Sequence, residues 1–432
     1  MENDDCSVKS FPSLFQSLSR QVWIQAIGRT LYQAGYGSIQ FFIPLIFVNQ
    51  VGLSATTVGI GIGSGSLAGV VGHFLGGYLA DSPSYGRKKT LLFSAMLSIL
   101  AAFVLALTQN LPLLFIANLL MGLSAGCYWT AADTIVMDVT DPDKRHQAFA
   151  VLVLADSLGA GFGIWGGGIL LSLTNAQTFF FADSFILLLF LLLAQIATRE
   201  TRQEQPESAK VWQKFVTALN DHSLRLFVLV SVLFTTYVAL VNIILPLYLT
   251  NIVANSAKQV GLSVGSVANL FTWCYVGIGA VLQLPLVQVL GSLVKVQVLI
   301  ISMLLWGVGF FLVWATGIVA SLQLVCMSAA LIVLSIATAI YKPFAPTVIA
   351  ELAPESLRVV YLSISYQCWS IGYFIGSIFG GWAMDQSRTV AHYFWIVVAL
   401  STICGLLILY VLGQRQLLPP PAPVPKDTAS VI

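Results

Sequence analysis

Eight stretches of the chain contain no Lys, Arg, Asp or Glu: 30–80, 90–132, 157–182, 226–257, 259–294, 296–341, 359–384 and 389–414. A helix needs about 20 apolar residues to cross a bilayer core, so the longest gaps hold two crossings each. Short polar or Gly/Pro breaks such as Asn49–Ala55, Gln109–Pro112 and Thr316–Ala320 divide them. The division gives helices near 22–48, 56–80, 90–108, 111–137, 147–172, 178–197, 224–250, 262–290, 296–315, 318–347, 359–384 and 392–413. No run alternates with the ten-residue pattern of a membrane strand. With only 9% charged residues against 57% hydrophobic, the chain cannot cover itself in polar side chains. The expectation is an all-α membrane protein with twelve transmembrane helices.

Basic residues fix the expected orientation. With both termini cytoplasmic, all 20 Lys and Arg fall on the inside except Lys258 and Arg388 outside and Arg29 and Lys342 within spans. Cytoplasmic loops accumulate Lys and Arg in this way. The basic residues therefore read as topology anchors, and no nucleic-acid partner is expected. The polar first residues precede a full-length span, which does not fit a cleavable signal peptide. Cys127, Cys274, Cys326, Cys368 and Cys404 lie in spans without metal-ligand spacing and read as small buried hydrophobes. His73 reads as a packing residue. No metal and no cofactor is expected.

The chain repeats itself. DVTDPDKR (138–145) and ELAPESLR (351–358) lie 213 residues apart, as do Gly159 and Gly372, Gly163 and Gly376, Gly167 and Gly380, Gly168 and Gly381, and Tyr128 and Tyr341. IPLIFVN (43–49) matches LPLYLTN (245–251) at an offset of 202, and Val58-Gly59 matches Val260-Gly261. The expected organisation is a tail (1–19), a six-helix half (20–197), a charged linker (198–222), a second six-helix half (223–414) and a Pro-rich tail (415–432). Parallel halves of this kind place a substrate site between them near the midplane. Pro44 and Pro246, at matched positions, are expected to bend spans 1 and 7.

Residues 159–168, GAGFGIWGGG, contain a literal G-x-G-x-x-G, followed by Asp183 at roughly the distance of a ribose-binding acid. No strand precedes it, however, and its repeat partner keeps only the four-residue glycine spacing. That pattern is small-x-x-x-small, which lets membrane helices approach closely. The stretch therefore reads as a packing or sliding surface between the halves, not as a phosphate loop.

Twelve spans in two pseudo-symmetric halves with basic inner loops resemble the major facilitator superfamily across the whole chain. Gly77-Tyr-Leu-Ala-Asp81 followed by Gly86-Arg87-Lys88-Lys89 is similar to that superfamily's signature between helices 2 and 3, with two extra residues in the loop. The resemblance implies a gating loop in which Asp81 pairs with basic residues and a neighbouring helix N-terminus. Gly159, Gly163, Gly167 and Gly168 resemble the helix 5 motif of drug:proton antiporters, with Ile164 at its proline position. Asn118 stands where those antiporters carry a helix 4 arginine.

Charged residues inside a membrane are costly and are functional candidates by default. At about 1.5 Å per residue, Arg29, Asp133, Asp156 and Lys342 sit at similar depth in the inner half of their spans. Two cations and two anions at one level suggest a paired cluster, with Asp133 or Asp156 taking up and releasing a proton or the set acting as a static ion pair. Asp183 lies nearer the outer surface. Helically spaced polar and aromatic residues mark the inward faces: Gln33, Tyr36 and Gln40 on span 1, Asn118 and Trp129 on span 4, and Thr235 and Asn242 on span 7. Thr338 on span 10, and Tyr366, Trp369 and Tyr373 on span 11, continue the set. The resemblance also assigns cavity lining to helices 1, 4, 7 and 10. The function expected is a monomeric secondary transporter of small, partly hydrophobic molecules, proton-coupled and exporting, with a proton-linked importer or an uncoupled facilitator as alternatives. A receptor would need a soluble domain and an enzyme a catalytic set, and the sequence displays neither.

Overall fold

The computed structural model describes residues 18–141, 144–201, 216–253, 263–318, 322–354 and 357–416. The two tails, most of the linker and Val260-Gly261 lie outside the described residues. No strand occurs among those described. Backbone N–H and C=O groups have no water to bond with in lipid, so every long apolar run closes its own hydrogen bonds as a helix. The order is α1 Arg20–Asn49, α2 Ala55–Asp81, α3 Gly86–Leu107, α4 Leu111–Asp138, α5 Arg145–Leu173 and α6 Ala176–Ala197. After the linker come α7 His222–Val253, α8 Val264–Leu290, α9 Lys295–Ala315, α10 Gln323–Leu352, α11 Arg358–Asp385 and α12 Arg388–Gln416.

Short polar breaks between spans double as caps. The side chains of Ser54, Asn110, Asn175, Asp221 and Ser263 accept hydrogen bonds from the backbone N–H groups of Thr57, Leu113, Thr178, Ser223 and Ser266. Each satisfies a donor that the helix start leaves open. Pro44 sits inside a continuous α1. The matched Pro246 lies in a different setting: wide π-turns flank its short α segment, at Leu240–Ile244 and Leu249–Val253.

All of these helices except α11 are long and apolar enough to cross a membrane, which makes eleven. In α11, serines, tyrosines and Gln367 dilute the apolar run. Large side chains on the outer faces, such as Phe74, Phe162 and Trp273, are more than half exposed, as lipid-facing residues must be.

Helices α1–α6 pack among themselves, with α1 on α5 and α6, and α4 on α2 and α3; α7 packs on α11 and α12, and α9 on α10 and α12. The most extensive contacts between these sets are α2 with α11 and α5 with α8, and α1 also touches α7. The first two recur about the same repeat. A Cβ on Gly381 would strike the Ala55 backbone, and one on Gly168 would lie 2.8 Å from the Ala268 Cβ. Ala55 and Ala268 are again 213 apart. The register of α2 on α8 is therefore 213, not the 202 expected from Val58-Gly59, and Gly59 is matched by Thr272. The α7–α8 connection (254–263) is five residues longer than the α1–α2 connection (50–54), which supplies part of the shift.

The glycine stripe also differs from expectation. Gly159 and Gly163 press on the backbone of Thr30 and Ala34 of α1, and Gly167 on the Phe42 ring. Only Gly168 and Gly161 reach α8, at Ala268 and at Val276. The surface is mostly internal to one set, because positions four apart return to the same helix face while Gly161 and Gly168 stand on the next face round.

Candidate functional site: a charge cluster between the helix sets

Arg29 is buried in the middle of α1, 3% exposed. Its guanidinium pairs with Asp133 of α4, and its other nitrogen lies 3.4 Å from Asp156 Oδ2 of α5. The Arg29 Cζ also sits 4.9 Å from the centroid of the Trp129 ring, one turn before Asp133 on α4. A buried cation is tolerable only when its charge and donors are met, and the fork of an arginine suits two carboxylates. Lys342, on α10, is exposed and interacts with Asp156 by charge, yet among the described residues it closes no ion pair. Tyr366 of α11 stands within electrostatic reach of Asp133 and Arg29. Four of the charges within the spans thus converge from α1, α4, α5 and α10, while the fifth, Asp183 of α6, is buried apart from them and accepts from the Ser38 hydroxyl of α1 at 2.9 Å.

Aromatic rings line the same level. Tyr32 stacks on Tyr128 at a centroid distance of 3.5 Å and on Tyr36 at 5.3 Å. Across the repeat, Phe234 stacks on Tyr341 at 4.4 Å, and Trp369 lies near Tyr341 and Tyr373. Gln40 donates to the Tyr36 hydroxyl and Asn242 to that of Tyr373, both at 3.0 Å. Thr338 and Tyr275 of α8 share a hydrogen bond of 3.1 Å. Gln33 stands beside Gly159 at the α1–α5 contact.

Two expected cavity residues are placed elsewhere. Asn118 is 2% exposed, bonds its own helix at the Leu114 carbonyl and packs against Gly61 and Gly65 of α2. Thr235 is fully buried against Gly372, with its hydroxyl 2.8 Å from the Cys368 carbonyl. Polar spacing selects a helix face that avoids lipid, but that face can turn to a neighbouring helix as well as to the centre. Among the cysteines, Cys127 and Cys368 are buried, Cys274 and Cys326 are partly exposed and Cys404 is exposed. His73 sits 3.3 Å from the Thr130 hydroxyl at the α2–α4 contact.

The loop after α2 is organised differently from the pattern in the sequence. Gly86 adopts φ +83, a left-handed conformation natural to glycine, and opens α3. The Glu200 carboxylate accepts the Arg87 and Lys88 backbone N–H groups, at 2.9 and 3.1 Å. The Arg87 side chain, 1% exposed, pairs with Asp138 at the end of α4. Asp138 also accepts from the Thr201 hydroxyl at 2.9 Å. Lys88 donates to the Gln195 carbonyl at 2.7 Å. Gly77 lies beside Thr130, and Asp81, at the end of α2, is exposed. Asp138 thus pairs with Arg87, and Glu200 accepts the first N–H groups of α3. Asp138 stood in the repeated DVTDPDKR, and that repetition was the one available signal.

Another missed residue is Asp385. Its carboxylate, at the end of α11, accepts the N–H groups of Ala55 and Thr56 at the start of α2, at 2.8 and 2.7 Å. Asn251 of α7 donates to Asn49 of α1 at 2.7 Å nearby. The two helix sets are therefore tied together at the end of the bundle that carries Asn49.

A profile of the Major Facilitator Superfamily matches residues 26–272 and, a second time, residues 227–431. The chain belongs to the Major Facilitator Superfamily. Its relatives within that superfamily are transporters and not enzymes, so this chain is a multi-pass transporter of the cell membrane taking a small-molecule substrate. An uncharacterised MFS-type transporter of Bacillus subtilis is 23% identical over 395 residues, covering 90% of this chain and 94% of its own length. The multidrug resistance protein MdtH of Photorhabdus laumondii is 25% identical, covering 87% and 90%. Among solved structures, the nucleoside transporter NupG aligns with a TM-score of 0.77 at 13% identity, covering 91% of this chain and 99% of that one. It shares the major facilitator fold.

Proposed function

We propose that this chain is a secondary active transporter that exports small, partly hydrophobic molecules in exchange for protons by alternating access. The observation that carries the proposal is the Arg29–Asp133–Asp156 cluster, set among aromatic rings and facing an uncommitted Lys342. A cluster with two carboxyl groups and one arginine can lose an acid to protonation and keep its cation paired. Moving between burial and water changes the cost of the charged form, so protonation and conformation become linked. The low-identity multidrug resistance relatives support export.

In the same reading α11 is the twelfth span, the helix sets are two halves spanning 20–197 and 223–414, and both termini are cytoplasmic. The chain acts as a monomer. The Asn49 end is then the outer end, closed by Asp385 and Asn49–Asn251. The proton-linked importer is the second reading, favoured by Asn118, which packs on α2 where the antiporter motif has an arginine. Everted vesicles bearing the protein, loaded by respiration and then treated with a protonophore, separate the readings. Collapse of substrate accumulation supports coupled export, accumulation only in right-side-out vesicles supports import, and indifference to the protonophore overturns coupling.

A further inference from the structure

The repeat exchanges chemistry between the two walls of the central site. Trp129 of α4 is matched, 213 residues on, by Lys342 of α10, and Asp156 of α5 is matched by Trp369 of α11. One wall therefore offers an acid and an indole, and the other a base and an indole, at exchanged positions. The charge on each wall is also unbalanced. Arg29 is shared by Asp133 and Asp156, which leaves an excess of negative charge on that side. Asp156 Oδ1 is buried without a hydrogen-bond partner, and Oδ2 reaches Arg29 only at 3.4 Å. Lys342 is exposed, forms no ion pair among the described residues and interacts with Asp156 by charge. Flat apolar surface lies beside these charges: Trp129 is stacked under Arg29, Tyr36 stacks on Tyr32, and Trp369 adjoins Tyr341, the residue before Lys342, and Tyr373.

We infer that the central site is a dipolar receptor for zwitterionic aromatic molecules, with the substrate's anionic group at Lys342, its cationic group at Asp156 and its ring among the aromatic side chains. This inference rests on the transporter reading above. A simple cation would meet Asp156 but also Lys342, and a simple anion would meet the reverse. A zwitterion alone answers both, each by a charge-assisted contact, and aromatic faces add stacking and cation–π attraction.

The test uses the purified full-length protein in detergent and equilibrium titration calorimetry with no gradient, so that it is independent of proton coupling. The probes are tryptophan and tyrosine as free zwitterions, as their amides (cations) and as their N-acetyl derivatives (anions). The expected result is that each zwitterion binds about tenfold more tightly than either blocked form. Lys342→Met brings the amide level with the zwitterion, Asp156→Asn does so for the N-acetyl form, and Lys342→Arg keeps the original order. Equal affinity across the three forms, an order unchanged by Lys342→Met, or no binding of any probe overturns the inference. The wild-type comparison stands even if a variant fails to fold. Coupled export fails instead on the protonophore experiment, whatever the charge preference.

Discussion

At the scale of single residues, Arg29 concentrates the consequences. Its guanidinium is the cation that Asp133 and Asp156 share, so Arg29→Met leaves two like charges facing each other in the bundle. Breaking a buried pair from one side typically costs about 3–5 kcal/mol. Detergent-purified Arg29→Met is expected to melt well below the wild type, and adding Asp133→Asn to restore most of the loss. A double variant as unstable as the single one would show that charge balance is not what Arg29 supplies. The four charges of the cluster were legible in the sequence because charge in an apolar run is rare. Asn118 and Thr235 were misplaced because helical spacing defines a polar face without saying which neighbour it meets.

Among the elements, close helix approach explains the glycine repeat. Gly163 admits no side chain beside the Ala34 backbone, whereas nothing lies within 4 Å of a Cβ on Gly166. Gly163→Val is expected to destabilise by about 1–3 kcal/mol, the usual range for overpacking, while Gly166→Ala stays within the error of a thermal melt. Equal effects at the two positions would contradict the assignment of the stripe to the α1–α5 contact. The helices themselves were readable from charge-free length and capping residues. The pairing of Arg87 with Asp138 and the Glu200 cap were not, because their partners come from distant points in the chain and no local pattern announces them.

For the whole molecule, the tie at the Asn49 end predicts a shift in conformational balance. Hydrogen bonds to a charged group are worth about 1.5–3 kcal/mol, so Asp385→Asn is expected to weaken closure there by about tenfold or more. Cysteines placed at Asn49 and Asn251 should cross-link readily in the otherwise native chain and more slowly with Asp385→Asn. An unchanged cross-linking rate would remove Asp385 from the closure. The 213-residue repeat was legible in the sequence, and it recurs in the α2–α11 and α5–α8 contacts. The change of register between α1/α7 and α2/α8 was hidden by the unequal connections.

The proposed coupling of a proton to conformation through Asp133 and Asp156 is tested directly in proteoliposomes that contain a trapped pH-sensitive dye. With a transported substrate added to one side, the wild type should move protons in the opposite direction. The Asp133→Asn/Asp156→Asn double variant should move none while still exchanging labelled for unlabelled substrate. Undiminished substrate-driven proton flux in the double variant would contradict the assignment of coupling to this cluster.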